Sequence, residues 1–479
     1  MTNLTRGKKL VLLLGILLVL MAVTVLVMEL VPDEAAQEET AVTVFTLDMD
    51  QVTGLSWTYE GEEVSLERDE ENNWIYPADD AFPLDPSYPD AMVQALSEIQ
   101  ADRIIEDPED LSEYGLADPV CSITVQAEET RQLAIGDETS LGGQRYLSLG
   151  DGNVYLVDAG LLDDFALGLY DIVAKETIPA MTDVSSFQIQ SGGTTLTIDD
   201  KEEDGLAYSD QYHWFWNQDG TLTALDTGLT DTLLGTITSL SWNSCVAYEA
   251  TQDQLSQWGL DEPSVIVTVA YVASSQVETN ETDEDGQPIY ETQETPKTFT
   301  LELGDYDGDT CYARLAGSSM VYQVDGTVRD TLAAAKGNDL LPQDVLLMDW
   351  TEVTGVDITL DGTTYSLEKV VQEETGEDGS TTETYSYQLD GQTVDITDAL
   401  DSIQDLSVVG SDAGAQGSKA EISFTFHRDT DSYPTVTLTF YAYDSSSCLE
   451  SLNGENRLLV DRDGVLELAE TLRDLLTES

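Results

Sequence analysis

Leu111-Ser112-Glu113-Tyr114-Gly115-Leu116-Ala117-Asp118-Pro119 and Leu255-Ser256-Gln257-Trp258-Gly259-Leu260-Asp261-Glu262-Pro263 are one pattern written twice in a chain of 479 residues. Each copy reads as a short helix stopped by Gly, a Leu of buried type, and a Pro ahead of an apolar strand, Ile123 to Val125 in one and Val265 to Val269 in the other. Gly tolerates the left-handed cap and Pro resists continuation of the helix.

Three further signals extend the repeat outward and add a third copy. An aromatic-x-aromatic pair occurs at Trp74-Ile75-Tyr76, Trp214-Phe215-Trp216 and Tyr385-Ser386-Tyr387. An Asp follows each pair, at Asp85, Asp226 and Asp395, and introduces a helical pattern. The apolar positions are Met92, Leu96 and Ile99; Leu229, Leu233, Ile237 and Leu240; and Ile396, Leu400 and Ile403. Spacings of three and four predict an amphipathic helix, and Asp near its start can accept from unpaired N–H groups. The last signal is a strand entering a closing helix: Val154 to Asp158, Val321 to Asp325, and Leu458 to Asp461. Chance does not produce three such copies in register.

The predicted class is α+β, with three tandem repeats over 42–181, 182–347 and 348–479 and largely antiparallel sheets. Each repeat should hold a hairpin of two or three strands, a helix, three or four more strands and a last helix. The third copy lacks the Gly-Leu-x-x-Pro pattern, offers the loop Gly410 to Gly417 instead, and reads as a diverged terminal unit. Strands are expected at Phe187 and Ile189, Leu196 and Ile198, Ile422 to Phe426, and Val436 to Phe440. Three acid-rich stretches, Asp199 to Gly205, Ser274 to Lys297 and Gln372 to Thr384, read as solvated loops at hairpin tips. Gly142-Gly143 and Gly192-Gly193 read as hairpin turns, with no phosphate-binding pattern.

Ahead of the repeats stands the apolar run Leu10 to Met28, preceded by Arg6, Lys8 and Lys9 in a basic segment 1–9 and followed by an acidic linker 29–41. As a helix it would be about 28 Å long, near the roughly 30 Å of bilayer hydrocarbon. It predicts a transmembrane anchor over 10–28, and the positive-inside rule places the N-terminus in the cytoplasm and the bulk of the chain outside the cell membrane. A cleaved signal peptide is the competing reading. It fits less well, because its apolar core would be shorter and Glu29-Leu30-Val31-Pro32 is no small-x-small site.

The chain carries 93 acidic and 19 basic residues, a formal net charge of −74, and no acid precedes Glu29. Nucleic acid is excluded as a partner, since such binding needs Lys and Arg against phosphate. Cations, basic protein surfaces and neutral glycans remain, and solubility alone also accounts for the charge. A composition 41% hydrophobic, with seven Trp and 21 Tyr, predicts a folded chain.

The YGL-x-x-P pattern, its preceding Trp and its helix resemble the domain-of-unknown-function 4340 family, over roughly residues 70 to 175 and 210 to 335. The resemblance implies a membrane-anchored exported bacterial protein, encoded near ABC-type transporter parts, with an accessory and non-enzymatic role and a transporter-type membrane partner. It supplies no site residues.

Candidate sites are few. Only two His occur, His213 and His427. His213 lies among Tyr212, Trp214, Phe215 and Trp216, and alternation would set Tyr212, Trp214 and Trp216 on one face as a sugar-stacking platform, with core packing as the alternative. His427 reads as a turn position beside Arg428 and Asp429, and neither His has an identifiable nucleophile. Cys121, Cys245, Cys311 and Cys448 lack C-x-x-C spacing and read as buried small hydrophobes. Glu281, Asp283, Asp285 and Gly286 match the opening of a calcium loop, but its twelfth position is Thr292 rather than a bidentate Glu. Asp305, Asp307 and Asp309 form a second acidic cluster, better read as a turn. No cofactor is expected, and weak Ca²⁺ binding is the only metal reading. The expected function is an extracytoplasmic interaction or scaffold protein; the rival is a surface module binding glycan or Ca²⁺, with a carboxylate hydrolase as a third reading.

Overall fold

A computed structural model describes residues 41–479 except 204, 283–286, 376–380, 412–413, 415 and 478–479. The expected anchor over 10–28 lies outside the described residues, and among those described no helix is long and apolar enough to cross a membrane. The chain divides into two compact units: residues up to Glu176 with Ser244–Tyr248, and Thr177–Asn243 with Glu249–Ser479.

The first unit holds a nine-stranded sheet. Its strands are β1 (Val42–Thr46), β2 (Gly54–Tyr59), β3 (Glu62–Arg68), β4 (Trp74–Ile75), β5 (Glu98–Ile105), β6 (Cys121–Gln126), β7 (Arg131–Glu138), β8 (Gln144–Ser148) and β9 (Val154–Asp158). Helix α1 (Ser87–Ala95) separates β4 from β5. The order is β1-β5-β9-β8-β7-β6-β2-β3-β4, and its pairings are antiparallel.

The next interval contributes β10 (Val184–Ser191), β11 (Thr194–Asp200), β12 (Trp214–Gln218), β13 (Thr221–Ala224), α2 (Thr227–Thr238), β14 (Ser244–Ala247), α3 (Gln252–Gln257), β15 (Val265–Thr282), β16 (Pro288–Asp307), β17 (Thr310–Leu315), β18 (Val321–Asp325) and α4 (Gly326–Ala334). Within the second unit the sheet runs β13-β12-β11-β10-β15-β16-β17-β18. The last interval supplies β19 (Val353–Leu360), β20 (Thr363–Thr375), β21 (Thr381–Leu389), β22 (Gln392–Val394), α5 (Thr397–Asp401), β23 (Val408–Ser411), β24 (Ala420–Arg428), β25 (Thr435–Ala442), β26 (Ser447–Leu452), β27 (Glu455–Asp461) and α6 (Arg462–Thr477). Its nine strands run β22-β21-β20-β19-β24-β25-β26-β27-β23.

One connectivity thus recurs in three sheets, which are far richer in strand than in helix. In every copy four strands precede the amphipathic helix and five follow it, one more on each side than the most expected. Alternation explains why each sheet has one dry face. Val265, Val267, Val269 and Tyr271 are buried while the residues between them are half-buried, so period 2 sends every second side chain into the core. In the third copy Phe424, Phe426, Leu438 and Phe440 are fully buried in one cluster with Val465, Leu468, Leu472 and Leu476 of α6. The spacing of those four is that of a single helical stripe.

Several expectations change. Helix α1 stops at Ala95, so Ile99 belongs to β5, and Leu229 is 39% exposed on α2. Asp226 caps α2 through the Leu229 N–H at 2.8 Å, and Asp85 accepts from Ser87 N at 3.0 Å. Asp395 caps nothing: Ile396 precedes α5, with no side-chain cap bond. The described residues of Ser274 to Lys297 and Gln372 to Thr384 are strand rather than loop for most of their length, because β15, β16, β20 and β21 run far into these hairpin ends. Val277, Thr279, Ile289, Tyr290 and Thr292 carry strand preference that the intervening charges disguise.

The duplicated pattern builds the same knuckle twice. Residues Leu111–Tyr114 form a 3₁₀ turn and Gln252–Gln257 form α3, and each ends at a Gly with positive φ, 68° at Gly115 and 67° at Gly259. The next Leu donates its N–H back into the turn, Leu116 to Leu111 O at 3.0 Å and Leu260 to Leu255 O at 2.8 Å. The knuckle carbonyl then sits on a strand glycine. A Cβ at Gly136 would lie 2.1 Å from Tyr114 O, and one at Gly304 would lie 2.1 Å from Trp258 O. Tyr114 meets Tyr146 of β8 at 4.9 Å, and Trp258 meets Tyr312 of the equivalent β17 at 5.3 Å.

Candidate functional site

A cleft of the second unit grows from the excursion between β11 and β12. Asp200 ends β11, the chain leaves the sheet, and it returns where Lys201 N donates to His213 O at 2.8 Å. The segment between faces the turn after β24. Arg428 closes that side: its guanidinium donates to Tyr208 O at 2.7 Å and pairs with Glu352. Between the two lies a cleft of about 590 Å³.

Its lining is unevenly charged. Asp200, Glu202, Glu203, Asp210, Glu352 and Asp431 contribute carboxylates, against Lys201, Arg428 and His213. His213 Nδ1 lies 2.9 Å from Asp200 Oδ1. Arg428 is 7% exposed and already committed to Glu352, so its charge is locally spent. The excess is negative, which suits a cationic or polyhydroxyl ligand better than an anion.

The floor of the cleft is part of a hydrophobic core. Tyr208 and Tyr212 meet edge to face at 5.9 Å and belong to the core of the third copy. Tyr208 Oη accepts from Leu347 N at 2.9 Å, and burial pushes its phenol up. In the same core Glu450, fully buried, pairs with Arg457 at 2.9 Å, and Arg457 also donates to Asp344 O and Val345 O at 3.2 Å. Burial raises the Glu450 carboxyl, with Arg457 opposing.

The other sequence-derived candidates scatter. Tyr212 is 4% exposed in the core of the third copy and Trp214 is 3% exposed in that of the second, so they share no open face. Trp216 is half-buried and packs on Gly337, where a Cβ would approach its ring to 2.3 Å. His427 is not a turn residue; it lies in β24, with Nε2 2.9 Å from Asp357 Oδ2. Asp283 and Asp285 lie outside the described residues. Asp305 backs the second knuckle, donating its N–H to Trp258 O at 2.8 Å, while Asp307 accepts from Tyr312 and from Gln323. Asp309 occupies the adjoining turn before β17. Among the described residues no group of three or more His, Cys, Asp or Glu is arranged to hold a metal ion. The four Cys are buried and unpaired.

Sequence reasoning missed Tyr208, Glu352 and Lys201. A usable signal was the scarcity of cations: with 19 basic residues in the chain, an Arg at a strand end is worth tracing to its partner.

The first aromatic of the first two pairs supplies the remaining geometry. Trp74 Nε1 donates to Asp90 of α1 at 2.8 Å, and Trp214 Nε1 donates to Asp231 of α2 at 2.8 Å. The sequence profile of the domain of unknown function DUF4340 matches residues 74–224 and 214–420. The chain belongs to the DUF4340 family. Both DUF4340 matches open on this tryptophan, so the family's unit starts at the aromatic strand and continues through the knuckle into the opening strands of the following copy. No curated protein and no solved structure matches the chain.

Proposed function

We propose that this DUF4340 protein is a membrane-anchored, extracytoplasmic interaction or scaffold protein, accessory to an ABC-type transport complex. The observation that carries the reading is the recurrence of one sheet connectivity three times behind the apolar run Leu10 to Met28. Repeated units multiply contact surface, and the net charge of −74 keeps such surfaces from associating with their own copies. In this reading the anchor tethers the chain and the repeats engage a membrane-protein partner. Protease added to intact cells should digest the repeats, and crosslinking in cells should join the chain to a transporter component. Protection of the repeats alongside digestion of exposed controls would remove the topology, and the role with it.

The acidic cleft favours a second reading, a surface module for a glycan or Ca²⁺. Thermal shift with added calcium and glycan-array binding of the chain from residue 42 separate the two.

A further inference from the structure

The long hairpin of the second copy outruns its own sheet. Strand β10 pairs with β15 only as far as Tyr271, and β17 reaches β16 only from Leu301 onward. Beyond these points β15 and β16 continue paired with each other through Ser274↔Glu294, Val277↔Glu291, Glu278↔Tyr290 and Thr282↔Pro288. Nine residues, Ser274 to Thr282, make a ribbon roughly 30 Å long at about 3.3 Å per residue. Rungs such as Gln276 to Thr292 at 2.9 Å and Thr279 to Ile289 O at 2.8 Å hold it together internally. Among the described residues no third strand pairs with either outer edge of the ribbon over these positions.

A two-stranded ribbon is marginal in water by itself, and a long bare edge is a template for another strand. Its side chains are also unusual for an idle extension. Val277, Ile289 and Tyr290 are 44%, 38% and 55% exposed. They are interleaved with exposed Glu278, Glu291 and Glu294, and Lys297 is the one basic residue of the stretch Ser274 to Lys297. A second copy laid along this edge would set carboxylate against carboxylate. Nucleic acid and anionic lipid would be repelled in the same way.

We propose that the β15–β16 ribbon is a docking arm whose edge takes an extended, Lys- or Arg-bearing segment of a partner protein as an added strand. Backbone bonding would supply the contact, Val277, Ile289 and Tyr290 its apolar anchors, and the three glutamates its selectivity for cationic sequence. The proposal rests on the interaction reading above and specifies its surface.

The test places a photo-crosslinking amino acid at Tyr290 in the full chain, in cells, with Leu141, which is 96% exposed at a different hairpin tip, as a second position. Crosslinked peptides are then sequenced by mass spectrometry. The expected result is a crosslink from Tyr290 to peptides of net positive charge. It should be lost in the triple variant Glu278→Lys, Glu291→Lys, Glu294→Lys, whose unfolding midpoint should stay unchanged because these side chains are exposed. Crosslinks from Tyr290 to a second copy, to lipid, or to acidic peptides, or crosslinks that survive the charge reversal, overturn the proposal. Crosslinks from Leu141 with none from Tyr290 overturn the arm while leaving the interaction reading standing. Absence of any protein crosslink from both positions overturns both.

Discussion

Trp214 donates its indole N–H to Asp231 at 2.8 Å, tying the aromatic strand β12 to the amphipathic helix α2 inside a single copy. The first copy repeats the bond from Trp74 to Asp90 at the same distance. It satisfies the only polar atom of a large buried side chain and simultaneously sets where the helix lies on the sheet.

Replacing Asp231 by Ala should therefore leave the Trp214 N–H buried without an acceptor. The expected loss is about 1–3 kcal/mol of unfolding free energy, and Asp231→Asn, which keeps an acceptor oxygen, should lose less. Urea denaturation of the chain from residue 42 measures both.

The knuckles predict a contrast among glycines. Gly304→Ala places a methyl 2.1 Å from the Trp258 carbonyl and should destabilise by about 1–3 kcal/mol or more. Gly235→Ala in α2 meets nothing within 4 Å and should stabilise by about 0.4–1 kcal/mol through helix propensity and reduced freedom of the unfolded chain. Opposite signs of the shift in denaturation midpoint are the expected outcome.

The buried pair makes a different forecast. Arg457→Met leaves the fully buried Glu450 carboxyl without its partner and should cost about 3–5 kcal/mol. The double variant Arg457→Met, Glu450→Leu should recover most of that loss. A double-mutant cycle on thermal unfolding measures the coupling.

Acid stability depends on carboxylates held low by hydrogen bonds. Asp357 is lowered first by Ser366 and then by His427, and Asp349 by Thr351. A carboxylate lowered on folding contributes stability above its unfolded value, lost as pH falls below about 4 through the folded one. Glu450 works in the opposite sense: raised by burial, it favours the folded state more as it protonates. Asp357→Asn should accordingly flatten the fall in stability below about pH 4, while Glu450→Gln should not. Melting temperature against pH checks the pair.

Burial also sets the thiols. It pushes Cys121 up to about 12 and Cys245, Cys311 and Cys448 up to about 11. Because the thiolate is the reacting species, a thiol reagent should label none of the four at neutral pH in the folded chain and all four after denaturation.

Read linearly, the chain already contained its architecture in local terms. Period-2 runs such as Ile422, Phe424 and Phe426, helical stripes, Asp caps and the Gly-Leu-x-x-Pro knuckle are short-range rules, and their repetition, three times for strands and helices and twice for the knuckle, made the register visible. Charge misled where it masked strand preference, as in Ser274 to Lys297, because solvation of Glu side chains does not oppose the pairing of the backbone that carries them. Only the tertiary structure could decide which aromatics are sealed in which core, since Tyr212 and Trp214 stand two residues apart yet pack with different sheets. It alone brought Arg428 to Tyr208 and Arg457 to Glu450, and it alone carried the β15–β16 ribbon past the strands that flank its base. The cleft and the ribbon depend on long-range placement of strand ends, which no local spacing encodes.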